Sequence, residues 1–180
     1  MKKNYNTRRK KLVRDIEKIQ KDEDYMMIIS DLLKQEKVQE MKLYRQHYQT
    51  SCFEHCLIAS YFCYLYCKKH HLDYISAARA GLLHDLFLYD WRKRENGRKG
   101  LHAFTHGRTA YEQASTFVKL NEKEKDIIVK HMWPVTIALP KYRETFIVTL
   151  VDKYFAIAEG FIKVKNQNDK IKQVREKVIK

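Results

Sequence analysis

Four histidines and two aspartates stand in stretches that otherwise read as protein interior: His55 in SCFEHCLIAS, His84 and Asp85 in GLLHDLFLYD, His106 in HAFTHGRTA, His131 in IIVKHMWP and Asp152 in FIVTLVDKYFA. Burying an imidazole or a carboxylate is costly unless it finds a partner. Nitrogen and oxygen donors of this kind suit iron, manganese or zinc. A carboxylate can bridge two ions, and ions about 3.5–4 Å apart form a hydrolytic device that acidifies a water between them. Taken singly, each residue has a plainer reading. A lone histidine in an apolar helix is commonly a hydrogen-bonded core residue, and Asp152 could pair with Lys153 or a nearby arginine. The adjacent His84–Asp85 pair is the strongest local signal. Six such groups in one helical core point to a metal site.

The elements that must position them are helices. With 5 glycines and 2 prolines in 180 residues, little of the chain can be turn, and the apolar pattern has helical period throughout. A basic amphipathic segment covers about residues 8–20. A helix is expected over 23–47, capped by Asp22 or Asp24. A central helix, apolar almost all round, starts near Thr50 or Ser51 and carries His55. Asp73 or Ser76 begins the next, through ISAARAGLLHDLF. The stretch YDWRKRENGRKGLHAFTH reads as a basic, aromatic loop, followed by helices at 107–118 and from Asn121, where Glu124 completes a capping box. A long helix through KYRETFIVTLVDKYFAIAEGFIK carries Asp152. Each interval between the candidate ligands, roughly 20–30 residues, is one helix plus a connector. Antiparallel packing could bring all six to one level. The expectation is an all-α, single-domain helical bundle.

Composition narrows the class. Apolar residues make up 44% of the chain, enough for a core, and the formal charge of +14 should attract polyanions such as phosphorylated metabolites or nucleic acid. The basic start has no apolar run after it, and no segment matches a membrane span, which predicts a cytoplasmic protein. Cys52, Cys56, Cys63 and Cys67 fall within about 60° on a helical wheel, one stripe of one helix. Buried thiols account for that stripe better than a metal site or a disulfide framework.

The ordered set H…HD…H…H…D resembles the HD-domain superfamily, in its two-metal form. GLLHDLFLYDW, HAFTHGRTAYEQA, KHMWP and VDKYFA are similar to a bacterial branch of it. The resemblance covers residues 45–162, leaving N-terminal helices at 1–44 and a basic tail at 163–180. It implies an all-α fold and a metal-dependent phosphohydrolase acting on a nucleotide or another phosphate ester. It assigns one ion to His55, His84, Asp85 and Asp152, and a second to His106 and His131 with Asp85 bridging. Iron or manganese come first, and zinc, nickel and cobalt accept the same donors. Many relatives carry an arginine shortly before the first histidine. Here that region reads TSCFEH, which puts that arginine's phosphate contact in doubt.

A hydrolase of this kind needs cations for phosphate. Lys153, beside Asp152, and Arg108, just after His106, are favoured as catalytic partners of Asp85. Arg92, Arg94 and Lys99 in the basic loop are candidate substrate contacts, with Trp91 as a stacking surface and His102 as a substrate group or a rival ligand to His106. For each loop cation a solvated surface role is the plainer reading. Tyr89 and Trp91 could stack on a base, though core packing is the plainer reading, and Glu54 could be a proton carrier, with a helix-surface charge the plainer reading. Two other classes remain. The same ligands can hold a mixed-valent di-iron centre that oxidises a substrate with dioxygen. The basic termini could instead mark a non-catalytic nucleic-acid-binding protein, which would leave the six interior ligands without a role.

Overall fold

The architecture comes from a computed structural model, which describes residues 2–46, 50–93 and 100–157, with side chains described throughout except at 2–9 and 11. Among the described residues the protein is all helical, with no strand and a single isolated bridge between Arg45 and Ser51. The helices are α1 (Lys2–Ile19), α2 (Glu23–Leu33), α3 (Glu36–Glu40), a 3-10 turn (Met41–Leu43), α4 (Cys52–Lys69), α5 (Tyr74–Leu83), α6 (His102–Ala114), α7 (Glu122–Lys130) and α8, residues 143–157. None of these is long and apolar enough to cross a membrane.

Side-chain caps set most helix starts, because the first backbone N–H groups have no helical acceptor. Asp22 accepts from Tyr25 N at α2, and Asp73 from Ser76 N at α5. Ser51 with Glu54 and Asn121 with Glu124 form full capping boxes at α4 and α7. The sequence signals at these four places are borne out.

Three boundaries differ from expectation. The helix expected over 23–47 stops at Leu33, and a new one starts at Glu36. Gln39 Nε2 donates to the Leu33 carbonyl at 2.6 Å, and the redirected chain turns Val38 and Met41 fully into the core. Burying two such side chains is worth about 3–6 kcal/mol together. The helix expected over 107–118 runs His102–Ala114, so His106 lies inside it. α5 ends at Leu83, which leaves Asp85 beyond the helix and His84 as its C-cap.

α4 lies centrally and packs most extensively on α5. α5 carries small buried residues, Ala77, Ala78, Ala80 and Gly81, and the contact is close at Gly81. A Cβ at Gly81 would sit 3.0 Å from Ser60 Cα. Ser60 Oγ donates to Ala78 O at 2.5 Å and accepts from the Tyr25 hydroxyl at 2.8 Å, joining α2, α4 and α5. Arg79 ties the same region outward, to Asp31 on α2 at 2.6 Å and Glu124 on α7 at 3.2 Å. The four cysteines of α4 are free and buried, as the stripe predicts.

Candidate metal centre

The scaffold brings all six interior donors together. His55, from the first turns of α4, places Nε2 3.0 Å from Asp152 Oδ1 on α8 and 4.0 Å from Asp85 Oδ2. His84 Nε2 lies 3.4 Å from Asp85 Oδ2 and 3.6 Å from Asp152 Oδ1. Across the same carboxylate, Asp85 Oδ1 is 3.2 Å from His106 Nε2 and 3.6 Å from His131 Nε2. Each oxygen of Asp85 therefore faces its own pair of histidines. All six side chains are buried.

Two groups result, His55–His84–Asp85–Asp152 and Asp85–His106–His131, which could hold metal ions. Two donors each about 2.1 Å from one ion, at angles of 90–110°, are separated by about 3–3.5 Å. The observed separations, 2.8–4.0 Å, bracket that range.

The hydrogen bonds behind the rings strengthen the case. His84 Nδ1 is 2.8 Å from Gly81 O, His106 Nδ1 2.7 Å from His102 O, and His131 Nδ1 2.8 Å from Ile128 O. A carbonyl only accepts, so each Nδ1 carries a proton and donates it. In the neutral ring, Nε2 is then a bare lone pair aimed at the cluster, the arrangement that backbone carbonyls impose on metal-binding histidines. His84 Nε2 and Asp85 Oδ1 are both buried without a hydrogen-bond partner. His106 Nε2 and His131 Nε2 face each other at 2.8 Å. Such facing lone pairs require a cation between or beside them, either a proton or a metal ion. The residues present fit a metal.

The electrostatics run the same way. Burial opposes ionisation of Asp85, but the His84 and His106 rings outweigh it and hold the carboxyl well below the ordinary range. Asp152 is likewise lowered against its burial, by His55 and His84. Burial disfavours charge on His84, yet Cys56, Asp85 and Asp152 raise its pKa. Asp85 does the same for His106, again against burial. His131 is pushed down to about 3 by burial and by the positive charge of His106 and His84. Asp85 thus favours protons on His84 and His106, while burial and those two rings leave His131 with a bare nitrogen.

Below this layer the thiols stay protonated. Burial raises the pKa of Cys52, and Cys56 is pushed well above the ordinary thiol range. Cys52 Sγ donates to the Asp85 carbonyl at 3.0 Å, fixing the backbone that carries the bridge.

The other sequence candidates are distributed as follows. His102, the rival to His106, stands outside both donor groups. Its carbonyl holds His106, its Nδ1 is 3.0 Å from the Tyr89 hydroxyl, and its ring is stacked between Trp91 and His106. Trp91 Nε1 donates to Gln46 O at 3.1 Å. Lys153 Nζ donates to the His131 carbonyl at 3.2 Å, beside the second group. Arg92 pairs with Asp90 at 2.9 Å. Arg108 pairs with Glu112 one turn on, at 3.0 Å, and is 80% exposed on the outer face of α6. Glu54 acts in the α4 capping box. Arg94 and Lys99 lie outside the described residues.

One residue escaped the sequence reading. Gln46 is buried, and its side-chain amide donates to Asp85 Oδ2. It precedes α4 in non-helical chain, where no periodicity marks it.

No family model matches the chain, and searches of curated proteins and of solved structures also return no match.

Proposed function

We propose that the protein is a metal-dependent phosphohydrolase of the HD-domain type, cleaving a phosphate ester of a nucleotide or similar small molecule at a dinuclear centre. The observation that carries this reading is the division of Asp85, one oxygen toward His55 and His84 and the other toward His106 and His131. A shared carboxylate between two donor groups is what a bridged metal pair needs. Iron or manganese would suit this mixed nitrogen–oxygen set, with zinc, nickel and cobalt as alternatives.

When bound, the ions would supply hydroxide at neutral pH and neutralise charge on phosphoryl oxygens. The chain's own groups do the rest. Gly81, His102 and Ile128 carbonyls hold three rings in the tautomer that presents Nε2. Asp85 and Asp152 bring two negative charges, so two divalent ions leave a positive centre for a phosphate. Lys153 adds an ammonium; burial lowers its pKa and Asp152 opposes that. Its place beside His131 makes it the foremost candidate for a phosphoryl oxygen, ahead of Arg92 and Arg108, whose charges are met by carboxylates. The apolar flanks of the cluster, Leu83, Leu86 and Phe87, keep bulk water from the donors.

The test is metal analysis of anaerobically purified protein, followed by phosphate release from a panel of nucleotides and phosphate esters. About two ions per chain and anaerobic phosphate release are expected. Oxygen consumption with an oxidised product would favour the di-iron oxygenase on the same ligands. Less than one ion per chain in every preparation would reject the dinuclear reading.

A further inference from the structure

The side chain of Gln46 is built into the cluster from outside the helical bundle. Its backbone N–H donates to Thr50 O at 3.1 Å, and its carbonyl accepts from Trp91 Nε1 at 3.1 Å. These two bonds pin a non-helical residue over the bridging carboxylate. Its exposure is 8%, so the amide is held inside the protein and not on its surface.

The orientation of the amide follows from its neighbour. Nε2 donates to Asp85 Oδ2, and a carboxylate oxygen can accept that bond. Reversing the amide would set an oxygen against an oxygen. Oε1 is then left buried with no hydrogen-bond partner. An amide oxygen buried in that state is costly. Asp85, the neighbour that Nε2 faces, has only lone pairs and cannot relieve this. A ligand bound at the cluster would supply the missing donor.

We propose that Gln46 both locks the bridging orientation of Asp85 through Nε2 and accepts, through Oε1, a hydrogen bond from the O–H of the attacking water. Nothing in the donor set duplicates this second task. The proposal rests on the hydrolase reading for the identity of that water. The lock on Asp85 stands apart from it. Trp91 takes part at one remove, as a positioning residue that holds the Gln46 carbonyl.

The experiment compares wild type with Gln46→Ala and Gln46→Glu, each full length. Cobalt(II) titration followed by its visible absorbance reads the metal directly. Loss of an outer partner of a ligand should weaken cobalt binding about 10–100-fold and alter the spectrum in Gln46→Ala. Phosphate release at saturating metal should show kcat reduced about 100-fold with KM within about twofold, the pattern of a group that orients a nucleophile. Gln46→Glu keeps the acceptor and loses the donor, so it should bind cobalt weakly and retain more kcat than Gln46→Ala. Circular dichroism should show both variants folded. Wild-type cobalt affinity and spectrum in Gln46→Ala would overturn the lock on Asp85. Equal kcat in Gln46→Ala and wild type would overturn the acceptor role. Tighter cobalt binding with full turnover in Gln46→Glu would mark Oε1 as a direct ligand and overturn it too. If wild type releases no phosphate from any ester, the hydrolase reading fails, while the cobalt titration still decides the Gln46–Asp85 contact.

Discussion

His106 Nε2 and His131 Nε2 stand 2.8 Å apart, and each ring donates its other nitrogen's proton to a backbone carbonyl one turn back. Two histidines from different helices have thus been given one shared cation position.

Removing either ring should therefore abolish one ion and spare the other. His131→Ala and His106→Ala are expected to retain about one ion per chain, held by His55, His84, Asp85 and Asp152. Elemental analysis after gel filtration checks this. Complete loss of metal in both variants would mean that the two groups do not load separately.

Asp85→Ala should behave differently, since both groups share that carboxylate. We expect loss of both ions and of activity, with helical circular dichroism retained. Two ions per chain in Asp85→Ala would refute the bridging assignment.

Gly107 is where α6 and α7 touch. A Cβ there would lie 2.8 Å from Ile128 O, 3.1 Å from Val129 O and 3.3 Å from His131 Cε1. Two of these are backbone atoms, so the helices must separate. Gly107→Ala should cost about 1–3 kcal/mol, as overpacking does. It should also weaken the Asp85–His106–His131 group while the other keeps its ion. Urea denaturation and metal content measure the two effects; an unchanged second ion would show that α7 yields without moving His131.

Stability against pH should reverse sign on metal loading. Without metal, His84 and His106 have raised pKa values, burial notwithstanding. A raised value adds stability that is full below the unfolded pKa of about 6.5 and is lost as pH climbs through the folded one. The lowered values of Asp85 and Asp152 add stability above about 3.9 that is lost on acidification. His131, pushed down to about 3, opposes folding below about 6.5, because only the unfolded ring takes the proton. Metal-free protein should thus weaken as pH rises above about 6.5, while metal affinity grows over the same range as the rings lose their protons. Melting temperatures with and without metal should diverge between about pH 6 and 9. Parallel curves would contradict the assignment.

The six candidate ligands were legible because an imidazole or a carboxylate in an apolar helix must be satisfied by something, and six such groups in one helical core call for a shared partner. The caps at Asp22, Ser51, Asp73 and Asn121 were legible because they act within three residues. The break after Leu33 was not, because it depends on where Val38 and Met41 find a core. Gln46 was hidden for the same reason: its partner lies 39 residues away. The pairing of Arg108 with Glu112 is different. An arginine and a glutamate four apart on a helix face are a local signal, and that spacing alone favours Lys153 over Arg108 as the cation at the cluster.

α5 and α7 both finish on a histidine of the cluster, with His84 and His131 as their C-caps and the two rings 4.9 Å apart. Aligned peptide dipoles give the C-terminal end of a helix about half a negative elementary charge. Two such ends meet here, so the backbone itself favours cations, even before the carboxylates are considered. Run either helix in the opposite direction and the same side chains would face a positive end. On the phosphohydrolase proposal, these two negative helix ends would disfavour a phosphate at this spot until cations are seated there.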